Sequence, residues 1–129
     1  MRKLSRGRLI KKLDSLFSKY IRRKDAINDI AKCVTCGVER HWKELQCGHF
    51  QSRRHYSTRW HENNTRPQCV KCNMFSQGEQ YIFGKKLKDE IGDVMFDELI
   101  LEKNRTQKYT LSDYKYLIEY YTKKLKELM

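Results

Sequence analysis

Apolar residues recur at three- and four-residue steps near the start of the chain: Leu9, Leu13, Leu16, Phe17, Tyr20 and Ile21. That spacing predicts an amphipathic helix over residues 8–24. Lys11, Lys12, Lys19, Arg22, Arg23 and Lys24 fall largely on the rest of its circumference, either as a solvated face or as a surface for a polyanion. Residues 25–32 read as a short second helical turn. Residues 42–51 and 57–61 read as two short strands around the basic loop 52–56, and Asn63-Asn64-Thr65 carries turn chemistry. Cys69-Val-Lys-Cys72-Asn73 is expected to open a helix running over 73–90, with another over 93–103; Gly84 and Gly92 interrupt the pattern. The last helix is the best marked. Thr110 followed three residues on by Asp113 approximates a capping box. Tyr114, Leu117, Ile118, Tyr121, Leu125 and Leu128 then form an apolar stripe that suits a core face, or an interface with a partner such as a second copy.

Composition sharpens this picture. In 129 residues, 39% are hydrophobic and 34% charged, so the core is thin for one domain and calls for a staple. No apolar run approaches the roughly 18 residues of a membrane helix. The basic stretch Met1–Leu16 lacks the apolar segment of a secretory signal, so a non-secreted, non-membrane chain is expected. The net charge of +12 is uneven. Residues 1–32 hold 11 Lys/Arg against 3 Asp/Glu, residues 33–78 hold 7 against 3, and residues 79–129 balance at 10 against 10. A polyanion meeting the first two-thirds of the molecule is the economical partner, ahead of a membrane surface, for which the aromatic anchoring is weak.

Five cysteines are too odd a number for a disulfide framework. Four of them form two Cys-x-x-Cys pairs, Cys33/Cys36 and Cys69/Cys72, able to place four thiolates tetrahedrally around one structural zinc; the alternative is free or redox thiols. The gap between the pairs leaves room for a β-hairpin. Knuckle, hairpin, then knuckle at a helix start is the layout of a treble-clef or ββα-metal unit. The expected architecture is therefore α+β: a basic helical arm over 1–32, a zinc-stapled core over 33–91 and a helical extension over 92–129. Cys47 is left over, better suited to a buried thiol than to a fifth ligand.

A hairpin of this kind can carry phosphodiester chemistry, which needs a base for water and a cation for the departing oxyanion. His49 follows Cys47-Gly48 on the first hairpin strand; Asn64 lies five residues before Cys69; Asn73 follows Cys72 directly. An imidazole with a pKa near 6.5 suits the first task, and an oxygen ligand suits Mg²⁺ or Mn²⁺. Arg53, Arg54, Arg59, Arg66 and Lys71 surround these positions as candidate phosphate clamps that would be blind to base sequence. His41 and His61 read as structural.

With these three residues in register, the segment resembles the HNH (His-Me finger) endonucleases. More closely, CGHF (47–50), RWHENN (59–64), QCVKCN (68–73), YIFGKKLKDEIG (81–92) and the Tyr-rich last helix are similar to the NinG/Rap recombination endonucleases of lambdoid phages. The resemblance implies a metal-dependent nuclease for branched DNA such as Holliday junctions and D-loops, acting in the host bacterial cytoplasm beside phage recombination proteins. It implies His49 as general base, Asn64 as the residue orienting the base-bearing loop and Asn73 as metal ligand. One departure stands out: many HNH enzymes have a metal-binding Asp or His immediately before the base, and here that position is Gly48. Either the metal leans on Asn73, a substrate phosphate and water, or another residue substitutes, with Glu79 and His55 as candidates and Cys47 placed for it but a poor ligand for Mg²⁺; in a different assignment His49 binds the metal and His55 is the base. Two other functions share parts of this pattern: a non-catalytic zinc module that grips nucleic acid, and an HNH nicking or restriction-like enzyme on duplex DNA.

Overall fold

A computed structural model describes residues 5–128; Met1–Leu4 of the basic arm and Met129 lie outside the described residues. The chain is α+β, with helices at both ends and two small antiparallel sheets between them. Helix α1 spans Arg6–Arg23. Ser5 caps it, its hydroxyl accepting from the Arg8 N–H at 3.3 Å, and Arg22 and Arg23 sit at the end where the helix dipole favours cations. Leu9, Leu13, Phe17 and Ile21, four residues apart, are all buried.

Strands β1 (Ile30–Lys32) and β2 (Glu39–His41) pair with Ala31 opposite Arg40. This replaces the helical turn expected over 25–32. Asn28 and Asp29 hold φ of +51° and +65°, a left-handed turn that short polar side chains tolerate and that ends helical winding. A 3₁₀ turn over Trp42–Glu44 leads into β3 (Leu45–His49), so the first expected strand is present but shorter. Its partner is not 57–61, which forms the short helix α2 (Tyr56–Arg59). The Tyr56 and Trp60 rings stack at 5.9 Å, a spacing of one helical turn that overrides the β propensity of the Thr and Trp there. The true partner is β4 (Thr65–Cys69), with Cys47 opposite Pro67 and His49 opposite Thr65. Proline is tolerated because each strand has only one neighbour.

After β4 the backbone makes a π-type turn over Lys71–Phe75 and a left-handed stretch at Gln77, Gly78 and Glu79. Helix α3 therefore starts at Gln80 rather than in the second knuckle; it runs to Glu102 and is broken at Gly92 (φ 86°), where the glycine pattern places the division. Helix α4 (Leu111–Glu127) opens on a complete capping box. The Asp113 N–H donates to the Thr110 hydroxyl at 3.1 Å, and the Thr110 N–H donates to the Asp113 carboxylate at 2.8 Å.

The apolar stripe of α4 has its cover within the chain from Tyr114 to Tyr121, while Leu128 at its end is exposed. Tyr114 and Tyr121 are buried with Leu9, Leu13, Phe17, Ile21 and Trp60 in one cluster, which joins both ends of the chain to its middle. Phe17 meets Tyr121 edge-on at 5.1 Å, and Trp60 meets Tyr114 edge-on at 5.6 Å. A second, smaller cluster of Phe83, Leu87 and Leu99 sits beneath Phe50. Leu13 is wholly buried between α1 and its neighbours, so Leu13→Ala is expected to cost about 2–5 kcal/mol in urea unfolding while Lys12→Ala, on the exposed face, costs little.

Candidate functional site

The four paired cysteines converge. Their sulfurs all lie within 4.8 Å of one another, and Cys36 Sγ is 3.7 Å from Cys69 Sγ. A tetrahedral zinc with bonds of about 2.3 Å holds its sulfurs about 3.8 Å apart, so the cluster can hold a metal ion such as zinc. The backbone shapes this arrangement. Gly37, at φ +78°, turns the first knuckle; its N–H donates to the Cys33 carbonyl at 2.9 Å, and the Val34 N–H donates to the Pro67 carbonyl at 2.9 Å, stitching the knuckle to β4. Burial opposes ionisation of Cys33, but the Cys36 N–H, the Thr35 hydroxyl and the Cys69 N–H outweigh it and bring the thiol to about 6. Cys47 is not among the clustered sulfurs, and burial pushes its thiol up to about 12, favouring the neutral form.

Beside the cluster, β3 lines an open cleft of about 530 Å³ with α1 on the opposite wall. His49 and Asn73 both face it, together with Gln46, Arg53, Asp14 and Arg22. The imidazole Nε2 of His49 lies 2.9 Å from the Arg59 carbonyl oxygen. A carbonyl only accepts, so Nε2 carries the proton and Nδ1 keeps its lone pair. Burial lowers the pKa of the ring below its ordinary 6.5 and the nearby Arg53 adds to this, while the backbone carbonyls of Arg59 and Cys47 and the carboxylate of Asp14 act the other way.

Asn64 is fully buried. Its Oδ1 accepts from the Gln51 N–H at 2.7 Å, and its Nδ2 donates to the Gln51 and Thr58 carbonyls, each at 3.0 Å. One carboxamide thus ties both ends of the loop carrying Arg59. Asn73 donates from Nδ2 to Gln46 Oε1 at 2.7 Å; its own Oδ1 has no protein donor among the described residues. His41 and His61 each accept from the N–H two residues on, at 3.2 Å, as local turn caps.

Gly48 faces away from the cleft. A Cβ there would lie 2.4 Å from the Oε1 of Gln68, which is buried and tethered through Nε2 to the Gly78 carbonyl (2.8 Å) and the Thr35 hydroxyl (3.2 Å). A carboxylate at position 48 is therefore excluded by packing. Neither Glu79 nor His55 lines the cleft.

The basic residues divide. Arg59 is bound by Asp14, from Nη2 to Oδ2 at 2.6 Å and from Nε to Oδ1 at 3.2 Å. Arg66 pairs with Glu90 at 2.7 Å and donates to the Glu62 and Thr65 carbonyls. Both are engaged within the chain. Arg54 and Lys71 are exposed, and Arg53 borders the cleft, 3.8 Å from Asp14.

Sequence reasoning missed Asp14 and Gln46. Asp14 also accepts from the Trp60 indole N–H at 2.9 Å. Its signal was present: it is the single acid among the first 24 residues, on a helix otherwise full of cations.

Fold and cysteine cluster together define a small α+β protein with a four-thiol cluster able to hold a metal ion, beside a polar cleft. The model of the family described as Bacteriophage Lambda NinG protein matches residues 2–129, and the chain belongs to that family. No curated protein and no solved structure matches it. Among the described residues no helix is long and apolar enough to cross a membrane.

Two outcomes test the site. Metal analysis should find one zinc per chain, and Cys69→Ser should lose it together with a large part of the melting temperature; structural zinc contributes about 10–16 kcal/mol in comparable motifs. Gly48→Ala should cost about 1–3 kcal/mol in denaturant unfolding, because the added methyl meets a tethered Gln68 side chain.

Proposed function

We propose that the protein is a metal-dependent endonuclease of the HNH type, hydrolysing phosphodiester bonds in branched DNA recombination intermediates. The observation that carries this reading is the 2.9 Å contact of His49 Nε2 with the Arg59 carbonyl: the carbonyl can only accept, so Nε2–H donates to it and Nδ1 is the ring nitrogen left to act as base, in a residue that shares the cleft with Asn73. A histidine needed only for packing requires no such cleft. The order of knuckle, hairpin and knuckle agrees with a treble-clef or ββα-metal core, and NinG family membership supports the branched-DNA substrate.

In this mechanism His49 Nδ1 takes a proton from water. Asn64 keeps the loop, and hence the Arg59 carbonyl, in place, so the ring does not rotate. The donor set suits a hard cation only sparsely. Asn73 offers one unengaged oxygen, both Asp14 oxygens are engaged by Arg59, and phosphate and water would complete the sphere, as Mg²⁺ commonly accepts. When bound there, Mg²⁺ or Mn²⁺ supplies charge for the phosphate and the leaving oxygen. Arg53, Arg54 and Lys71 remain as phosphate contacts, whereas Arg59 acts through its carbonyl and Arg66 through its tie to α3. A homodimer, phage recombination partner proteins and the host cytoplasm belong to the same proposal.

The test uses linear duplex, single-stranded, Y-shaped and four-way-junction DNA with Mg²⁺, Mn²⁺ or EDTA. Metal-dependent cutting strongest on branched DNA is expected, and His49→Ala should abolish it while binding persists. Equal cutting of linear duplex would favour a nicking or restriction-like enzyme; binding without cutting would leave a nucleic-acid-binding zinc module. The rate should also fall with acid. Burial holds the imidazole neutral to below pH 6.5, so activity is full at pH 7 and lost as pH drops through that lowered pKa. Stability has the same sign: the unfolded chain takes up the His49 proton first, so this contribution is present above pH 6.5 and disappears below it.

A further inference from the structure

We propose that Arg22, on α1 and outside the knuckles and hairpin, is the fixed cation that receives the scissile phosphate in the cleft. The inference rests on the nuclease reading and adds a substrate-contacting residue to it.

Arg22 is held from three directions. Its Nε donates to the Ser18 carbonyl (3.2 Å) and hydroxyl (3.1 Å); its Nη1 donates to the Trp42 (3.4 Å) and Leu45 (3.3 Å) carbonyls. The guanidinium carbon lies 5.2 Å from the Trp42 ring centroid. Every one of these partners is neutral. Among the described residues no carboxylate lies within ion-pair distance of Arg22, and Nη2 has no protein partner. The side chain lines the same cleft as His49 and Asn73.

A partly buried charge without a counter-ion is costly, and buried cations are ordinarily paired. Asp25 and Glu90 line a second pocket with Arg22, yet neither makes an ion pair with it. Asp14 is matched by Arg59 at 2.6 Å, and Cys47 is a neutral thiol. The cleft is thus left positive, with a planar fork already oriented and one amino group unengaged. The two N–H bonds of Nη2 are the ones left to donate to phosphodiester oxygens, and the fixed guanidinium costs no reorganisation as charge builds in the transition state. Arg53 differs: its side chain is 61% exposed, and it leans toward Asp14.

The experiment compares wild type, Arg22→Ala and Arg22→Lys on junction DNA with Mn²⁺. It reads single-turnover rate at saturating DNA, affinity in EDTA, and rescue by methylguanidinium. Arg22→Ala should slow cleavage about 100-fold, and methylguanidinium should restore about tenfold. Affinity should fall only about threefold, since one phosphate contact among many is lost. Arg22 also ties α1 to β3, so zinc content and melting temperature are measured for each variant; if the alanine chain does not fold, Arg22→Lys, which keeps charge but loses the fork, carries the comparison. Independently of cutting, the Arg22 ¹⁵Nε–H signal should shift when a short duplex binds in EDTA. An unshifted signal with DNA bound, or an unchanged rate in a folded variant, overturns the assignment. If wild type cuts no DNA, the nuclease reading fails instead, and the Nε titration still decides whether Arg22 meets phosphate.

Discussion

The carboxylate of Asp14 holds the molecule's functional half together. It receives the Arg59 guanidinium on both oxygens and the Trp60 indole N–H on one of them. Charge-assisted, two-pronged contacts of this kind are stronger and more directional than neutral hydrogen bonds. Through Asp14 the first helix docks on the loop between β3 and β4, and that loop carries the carbonyl that selects the His49 tautomer. Without this tie, α1 would still have its apolar face, but only the Asn64 carboxamide would hold the Arg59 backbone against the imidazole.

Charge explains why the pairing is arranged this way. The chain is strongly basic, yet near the cleft it uses its few acids to neutralise selected arginines: Asp14 takes Arg59, and Glu90 takes Arg66. Those two side chains become structural. Arg22, Arg53, Arg54 and Lys71 are left without so close an acidic partner, and Arg22 and Arg53 line the cleft. Proximity to a proposed site does not make a cation a phosphate ligand; the presence or absence of a nearby carboxylate sorts them.

Packing also accounts for the departure at position 48. β3 has two faces: one presents His49 to the cleft, the other lies against Gln68, which reaches the first knuckle through Thr35 and the left-handed turn through Gly78. Space for that glutamine requires glycine, so the thiol cluster and the imidazole strand are joined by a contact that leaves no room for a ligand before His49. Asn73 approaches the cleft from the other side, held by Gln46.

Much of this was readable from local pattern. The i, i+4 run from Leu9 to Ile21, the Thr110–Asp113 cap, the break at Gly92 and the pairing of four cysteines all arise from neighbours in the chain, where periodicity and turn chemistry act directly. The choice of hairpin partner was not readable, because Pro67 disguised β4 and Trp60 packing turned 57–61 into a helix. Nor were the fate of the α4 stripe, the sorting of the arginines and the roles of Asp14 and Arg22. Each depends on groups twenty or more positions apart meeting in space, and no spacing rule within one segment encodes which distant charge or ring will lie opposite.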